Sequence, residues 1–584
     1  MNMSVDNSFF HQDYHNLNVL VIVPHEDDEI NAAAALLYNF TSCGAKVHIV
    51  YTTNGDYQHT AETRFREAIK AANTLGVVER NVIFLGYADA YNNTKRDHLF
   101  YNTEKIATSN AGYKETYGTE LHPDYAYAKF GTHHHYTANN YLQDIKSVIE
   151  QLLPDVIICT DFDEHPDHKM LSLYFDKAVG KIIKKHKTYH PLVLKRFAYA
   201  LAYTAVADFT AINNPETQRP CLDKTEKYPW DFIDKFYYNW AHRVRIPLPV
   251  LLRERNLKKN EIAKALLQHE SQFIITRADR IINSDEVYWL RRTDSLTYGA
   301  NVIVSSGNAD ALTDFMLYNV NDVDVQEPSF VDCHWQPDED DTVKTARFSW
   351  MTGVCIETIV LYGDITDQVA IKKLEVSLSD GSVAVVENVP ADGRPLIVNL
   401  GVHKNITYCE LKLCSVQGKH YGISECEIYP LEESKSVLRP FCKILIDDNF
   451  VYEYLTDIKT EKLPVKCYTF GDTGEMTFKV MQGNAYIKDN YLYFGDANKG
   501  SLVILRAENE AQTVYDQIII KKLTTAELKQ YQAIDEVNKR FLKKKILDKK
   551  IHNMINILEN EGLKAVLKKV AKKIWGAVKN TNES

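Results

Sequence analysis

The chain has no Cys-x-x-Cys pair. Its ten cysteines are scattered from Cys43 to Cys467, which argues against a disulfide framework or a cysteine-zinc site and suits reduced thiols in a cytosolic protein. No run reaches the roughly 18 apolar residues of a membrane span. The opening MNMSVDNSFFHQDYHNLN lacks the basic stretch and apolar core of a secretory signal, so the expected location is cytoplasmic. Positive charge is not in excess: 68 Lys+Arg face 78 Asp+Glu, for a net charge of -10, and no general reason for nucleic-acid binding follows. What is present is 584 residues, enough for about three to four domains.

Up to about residue 300, short β-rich runs alternate with helical stretches: NVLVIV, Ile30 to Phe40, AKVHIVYTT, Ala61 to Leu75, NVIFLGY, Asn140 to Leu153 and DVIICT. This predicts an α/β domain over 1–300 with a Rossmann-like, mostly parallel sheet. Residues 301–432 change to short alternating runs and predict an all-β sandwich, residues 437–523 a second, smaller one, and residues 524–584 a helical tail.

PHEDDE follows NVLVIV directly, and DFDEHPDH (Asp161 to His168) follows DVIICT. Ligands in parallel α/β sheets bind beyond the carboxyl ends of strands, so the two clusters can converge at one rim. Three adjacent acids beside a histidine repel one another unless a cation or proton sits among them. His25 and Asp28, three apart at a strand-to-helix junction, can both point inward, and His168 is the natural third metal ligand. A metal-bound water beside an amide then needs a base and an acid, for which Asp27 and His165 remain, with Asp167 or Asp163 able to orient a histidine. Taken singly, PHEDDE also reads as acids at a helix N-terminus and HPDH as a solvated loop; together, each at a strand end, they point to a metal site.

The strand-PHEDDE-helix opening and the later DEHPDH resemble the PIG-L (LmbE-like) deacetylases, metal-dependent enzymes acting on N-acetylglucosamine-type sugars. TRFRE (Thr63 to Glu67), FLGYAD (Phe84 to Asp89) and QHESQ (Gln268 to Gln272) are similar to further motifs of that family, over about residues 17 to 300. The resemblance implies that His25, Asp28 and His168 bind zinc, that Asp27 is the general base, that His165 is the general acid or stabilises the oxyanion with Asp167 tuning it, and that Arg64 contacts substrate. A His2Asp set also accepts iron or cobalt. Glu26 departs from the family's usual proline. The 301–432 segment resembles the galactose-binding-like (F5/8 type C) sandwich, which implies a glycan partner; 437–523 suggests an immunoglobulin-like sandwich without functional content.

The implied activity is removal of an N-acetyl group from a lipid-linked or polysaccharide-related sugar. The alternatives are an amidase on another sugar-conjugate amide and a non-catalytic glycan-binding scaffold. In the insert from Ala90 to Thr137, tyrosines offer sugars a stacking face and a hydroxyl or pack the insert's own core, and His133-His134-His135 reads as surface histidines rather than a second metal site. Residues 524–584 carry 14 Lys+Arg against 7 Asp+Glu. Within 562–580, GLKAVLKKVAKKIWGAVKN places apolar residues at helical spacing against six lysines with no acid. That is a basic amphipathic helix, which predicts either packing on protein or contact with the anionic inner face of a membrane.

Overall fold

The computed structural model describes residues 13–89, 105–109, 111–163, 165–198, 213–214, 216–217, 238–320, 328–329, 333–366, 368–430, 438–495 and 502–561. The first elements are β1 (Asn18–Val23), α1 (Asp28–Ser42), β2 (Lys46–Thr53), α2 (Ala61–Thr74) and β3 (Val82–Tyr87). They are followed by α3 (Tyr125–Phe130), α4 (Ala138–Leu152), β4 (Val156–Thr160), α5 (Pro166–Lys185) and β5 (Leu192–Arg196). Side chains alternate across each strand: Val19, Val21 and Val23 join Ile30, Phe40 and Phe65 in one core, while Leu20 and Ile22 join Tyr141, Ile145 and Phe175 in another. Apolar burial on both faces is why NVLVIV carries no polar residue after Asn18.

All pairings among these five strands are parallel, in the order β3-β2-β1-β4-β5. The chain winds outward on one side of β1 and resumes on the other with β4, leaving a crevice at their carboxyl ends where the helices diverge. Both polar clusters emerge there. The sheet then gains two antiparallel strands that the sequence pattern did not distinguish, β6 (Val244–Pro247) and β7 (Asp285–Arg291), in the order β5-β7-β6. The helices α6 (Glu261–Gln268) and α7 (Ala278–Ile281) lie between them in the chain.

β7 also shapes α1. Helical geometry breaks at Ala33 (φ -153°, ψ 20°), and the freed N–H groups of Ala35 and Leu36 donate to Glu286 Oε1 at 2.9 Å and Oε2 at 3.4 Å. Tyr288 donates its hydroxyl to Glu286 Oε2 at 2.7 Å. A fully buried carboxyl from β7 thus serves as an internal cap, and the first turn of α1 is set apart from the rest.

Next come β8 (Asn301–Val304), β9 (Asn319–Val320), β10 (Pro328–Ser329), β11 (Thr345–Gly363), β12 (Ile371–Leu378), β13 (Val383–Glu387), β14 (Leu396–Val416) and β15 (Ile423–Tyr429). The antiparallel order is β13-β12-β14-β11-β15, with β8 also on β11. The ladder between β11 and β14 shifts register three times between Ser349 and Thr358, bulges that bend a strand, and the domain closes on Trp335, Phe348, Ile359 and Leu411. Between Phe441 and Leu523, two sheets of five and four strands enclose Ile444, Val465, Leu505 and Ile518.

The 37-residue helix α8 (Thr525–Glu561) returns to the first domain. Asn538 accepts from Leu257 N at 3.2 Å and donates to Arg255 O at 2.7 Å, and Lys549 Nζ donates to Ser271 O at 3.4 Å. Toward the end of α8, Leu547, Ile551, Met554, Ile555 and Leu558 are each about half exposed, and their spacing puts them on one face. The basic helix expected at 562–580 lies outside the described residues.

Replacing Glu286 by Ala leaves the Ala35 and Leu36 N–H groups and the Tyr288 hydroxyl without their acceptor inside the core. The expected cost is about 1–3 kcal/mol, measured as an earlier urea unfolding transition by tryptophan fluorescence; an unchanged midpoint would contradict the capping role.

Candidate metal centre

The loop after β1 is a tight turn in which Asp27 N and Asp28 N both donate to His25 O, at 2.9 and 3.1 Å. Asp27 occupies the N-cap position of α1, yet its carboxylate makes no cap bond. It meets Arg277 Nη1 at 3.3 Å and Arg64 Nη2 at 3.5 Å instead. The loop after β4 ends at α5, with Pro166 in the first turn and His165 at the N-cap, where its Nδ1 accepts from Asp167 N at 3.2 Å. Asp163 fixes this second loop: Oδ1 accepts from His165 N at 3.0 Å, and Oδ2 lies 2.8 Å from His168 Nδ1.

Parallel pairing of β1 with β4 brings the two loops into contact. His25 Nδ1 lies 2.9 Å from Asp28 Oδ2, His168 Nε2 lies 3.1 Å from the same oxygen, and the two nitrogens are 3.3 Å apart. Ligand atoms about 2.0 Å from a tetrahedral ion stand roughly 3.3 Å from one another, so these three atoms form a triangle close to one face of such a site. The far nitrogen of each imidazole meets a carboxylate, His25 Nε2 on Asp167 Oδ2 at 3.2 Å and His168 Nδ1 on Asp163 Oδ2 at 2.8 Å. Metal-binding histidines are commonly oriented in this way. Two looser groups, His25 with His165 and His168, and His25 with Asp89, His165 and Asp167, offer ligand atoms within 4.8 Å of one another.

The nest is buried: His168 and Asp28 are fully enclosed, and His25 and Asp27 are each 6% exposed. Burial pushes His25 down, but Asp89, Asp167 and Asp28 outweigh it and hold the imidazole well above its usual range. Burial likewise opposes protonation of His168, and Asp163 with Asp28 raises it to about 9. Burial would raise Asp28, yet His168 and His25 hold it well below the carboxylate range. His165 goes the other way, driven well below its usual value by burial and then by His25. Without a metal, the carboxylates draw protons onto the two imidazoles that face each other, so the pocket calls for positive charge.

Every candidate residue named from sequence falls in or against this nest. His25, Asp28, His168, His165 and Asp167 share it directly, and Arg64, 3% exposed, lies behind it against Asp27 and Glu26. Asp167 is nearer to His25 than to His165, at 3.2 against 3.8 Å. Sequence reasoning missed Arg277 and Asp89, whose Oδ1 lies 3.9 Å from His25 Nε2; Asp89 stands just past β3, a strand-end signal that could have found it. His133, His134 and His135 diverge to Asp124, Asp144 and Glu115 and gather on no common point.

Residues 20–179 match the model of the PIG-L family, described as GlcNAc-PI de-N-acetylase. This segment is a PIG-L family domain. Residues 298–429 match a second family, described as a domain of unknown function (DUF7402). No curated protein matches the chain. Among solved structures, the zinc-inhibited form of teicoplanin deacetylase is 15% identical and covers 47% of this chain and 98% of its own, at a TM-score of 0.26. N,N'-diacetylchitobiose deacetylase from Pyrococcus horikoshii is 13% identical over 47% of this chain and 84% of its own, at 0.25. A galactose-bound family 32 carbohydrate-binding module from Clostridium perfringens NanJ is 10% identical over 22% and 92%, at 0.18.

In this PIG-L domain the fully buried Glu26 turns to Arg64, Oε2 to Nε at 3.4 Å. Burial raises its carboxyl to about 8 against the pull of Arg64. Gly55, at φ +55°, makes room for the pair, since a Cβ there would collide with Glu26 Oε2 and Arg64 Nε. The late QHESQ segment also anchors the site from outside: His269 Nε2 meets Glu29 Oε1 at 2.7 Å, and Ser271 Oγ donates to Glu67 at 2.7 Å.

Because His25 and His168 are held above their ordinary values, a cation entering the nest displaces protons, and affinity falls as pH falls. Between pH 8 and pH 6 the metal association constant is expected to drop by about one to two log units per pH unit, read by competition with a chromophoric chelator. A constant independent of pH would contradict the assignment of both imidazoles.

Proposed function

We propose that the chain is a metal-dependent deacetylase that hydrolyses the acetamide of an N-acetylglucosamine-type sugar to a free amine and acetate. The observation that carries this reading is the triangle of His25 Nδ1, Asp28 Oδ2 and His168 Nε2 with Asp27 next in the chain. A divalent ion on those three atoms, zinc or another borderline metal, would supply Lewis-acid chemistry, polarising the amide carbonyl and acidifying water.

The rest of the reaction falls to the chain's own groups. Asp27, aimed by Arg64 and Arg277, takes the proton of the attacking water as its oxygen bonds to the acetyl carbon, and returns that proton to the nitrogen as the C–N bond breaks. His165 is neutral at working pH, and its Nδ1 accepts from Asp167 N. Its Nε2–H is therefore the donor for the oxyanion, and of the two roles the resemblance allows, oxyanion stabilisation fits better than general acid. Asp167 holds His25 first and His165 second. Arg64 is too deeply buried to be read first as a substrate contact, and we assign it to positioning Asp27.

Contact with an anionic membrane, which would suit a lipid-linked sugar, is supported by the end of α8. The half-exposed Leu547, Ile551, Met554, Ile555 and Leu558 would give such a surface an apolar strip, with Lys543, Lys544, Lys545 and Lys550 nearby in sequence and Asp548 among them.

Two experiments test the proposal. Metal-loaded protein is expected to release acetate from N-acetylglucosamine or its lipid- or nucleotide-linked forms. Asp27→Ala should lower the rate about 10²–10⁴-fold with metal retained, and His168→Ala should weaken the metal itself. Bound metal with no acetate from any of these sugars would overturn the substrate class, and failure to bind metal would favour the scaffold alternative. In flotation with phosphatidylserine-containing liposomes, the full chain should rise with the lipid and a chain ending at residue 546 should not; identical behaviour would contradict the membrane contact.

A further inference from the structure

A cleft of about 1280 Å³ opens between the outward face of α2 and the loop at 111–122. Its volume exceeds the roughly 300–1,000 Å³ of ordinary small-molecule pockets, and it lies outside the metal nest: none of His25, Asp28, His165 and His168 lines it. One wall is Tyr113 stacked on Tyr117, ring centroids 4.2 Å apart, with Tyr113 48% exposed. The opposite wall is α2, which presents Glu62, Arg66, Lys70 and Asn73. The exposed outer ring of that stack, Tyr113, on one wall and hydrogen-bond donors and acceptors on the other suit pyranose rings, whose apolar faces stack on aromatics while their hydroxyls bond sideways.

The cleft is joined to the nest by a short chain of bonds. Tyr117 donates its hydroxyl to Asp56 Oδ2 at 2.8 Å, Asp89 N donates to Asp56 Oδ1 at 3.0 Å, and Asp89 Oδ1 lies 3.9 Å from His25 Nε2. The other wall belongs to a helix that also reaches the nest, since α2 turns Arg64 inward against Asp27 and, two residues on, presents the exposed Arg66 to the cleft on its opposite face. We infer that this cleft is an extended glycan subsite, which binds sugar units flanking the one whose acetamide reaches Asp27, so that the natural substrate is an oligo- or polysaccharide rather than a single sugar. The inference rests on the sugar-deacetylase reading for its ligand class. Binding energy gained on units that do not react can raise the rate at the unit that does.

The test uses the full metal-loaded protein and β-1,4-linked N-acetylglucosamine oligomers of one and four units, with binding followed by calorimetry and acetate release followed separately. Wild type is expected to bind the tetramer at least tenfold more tightly than the monomer. Tyr113→Ala, and independently Arg66→Ala on the other wall, should bring that ratio toward one, and the tetramer's advantage in kcat/KM for acetate release should fall in parallel. Equal affinity for both lengths, or a ratio unchanged in both variants, overturns the inference even if acetate is released. Length-dependent binding that the variants abolish, without acetate from either sugar, upholds the subsite and counts against the deacetylase reading instead.

Discussion

Five consecutive polar residues, His25 to Glu29, can stay buried at the end of β1 because each meets a compensating group that arrives from elsewhere in the fold. His25 rests on Asp167, Glu26 on Arg64, Asp27 on Arg277 and Arg64, Asp28 on His168, and Glu29 on His269. Burying unpaired charges at this density would cost several kcal/mol for each. The stretch therefore forms only when β4, α2 and the segments after α6 are all in place, which makes the centre a product of the whole domain.

The same dependence explains the framework. The switch of winding direction between β1 and β4 is what opens a crevice at their carboxyl ends, and it sets two loops from distant parts of the sequence side by side. Breaking α1 at Ala33, with Glu286 filling the gap, separates the turn that bears Asp28 and Glu29 from the body of the helix. Chemistry and architecture meet in that turn: Asp27 gives up its cap bond and faces the guanidiniums.

Much of this was legible in the sequence. The apolar runs located β1 to β4 because both faces of those strands are buried, and the alternation of strand and helix indicated a mostly parallel sheet. The two clusters stood out because, although each alone reads as a helix N-terminus or a solvated loop, acids and histidines recur together at the ends of two buried strands. The partners that come from afar were not legible. Arg277 lies in a short 3₁₀ turn and Glu286 on β7, a strand the sequence pattern did not distinguish, and their roles exist only once the chain has closed; Asp89 alone carried a signal, standing just past β3. The antiparallel placement of β6 and β7 escaped for the same reason, since pairing direction is not written in the pattern of one strand.

The central claim is that His25, Asp28 and His168 form the metal-binding face. It is tested most directly by anomalous X-ray scattering from crystals of the metal-loaded protein, collected above and below the absorption edge of the bound metal. The account expects a single strong peak within bonding distance of His25 Nδ1, Asp28 Oδ2 and His168 Nε2. A peak held instead by Asp89, His165 and Asp167, or no peak near β1 and β4, would contradict it.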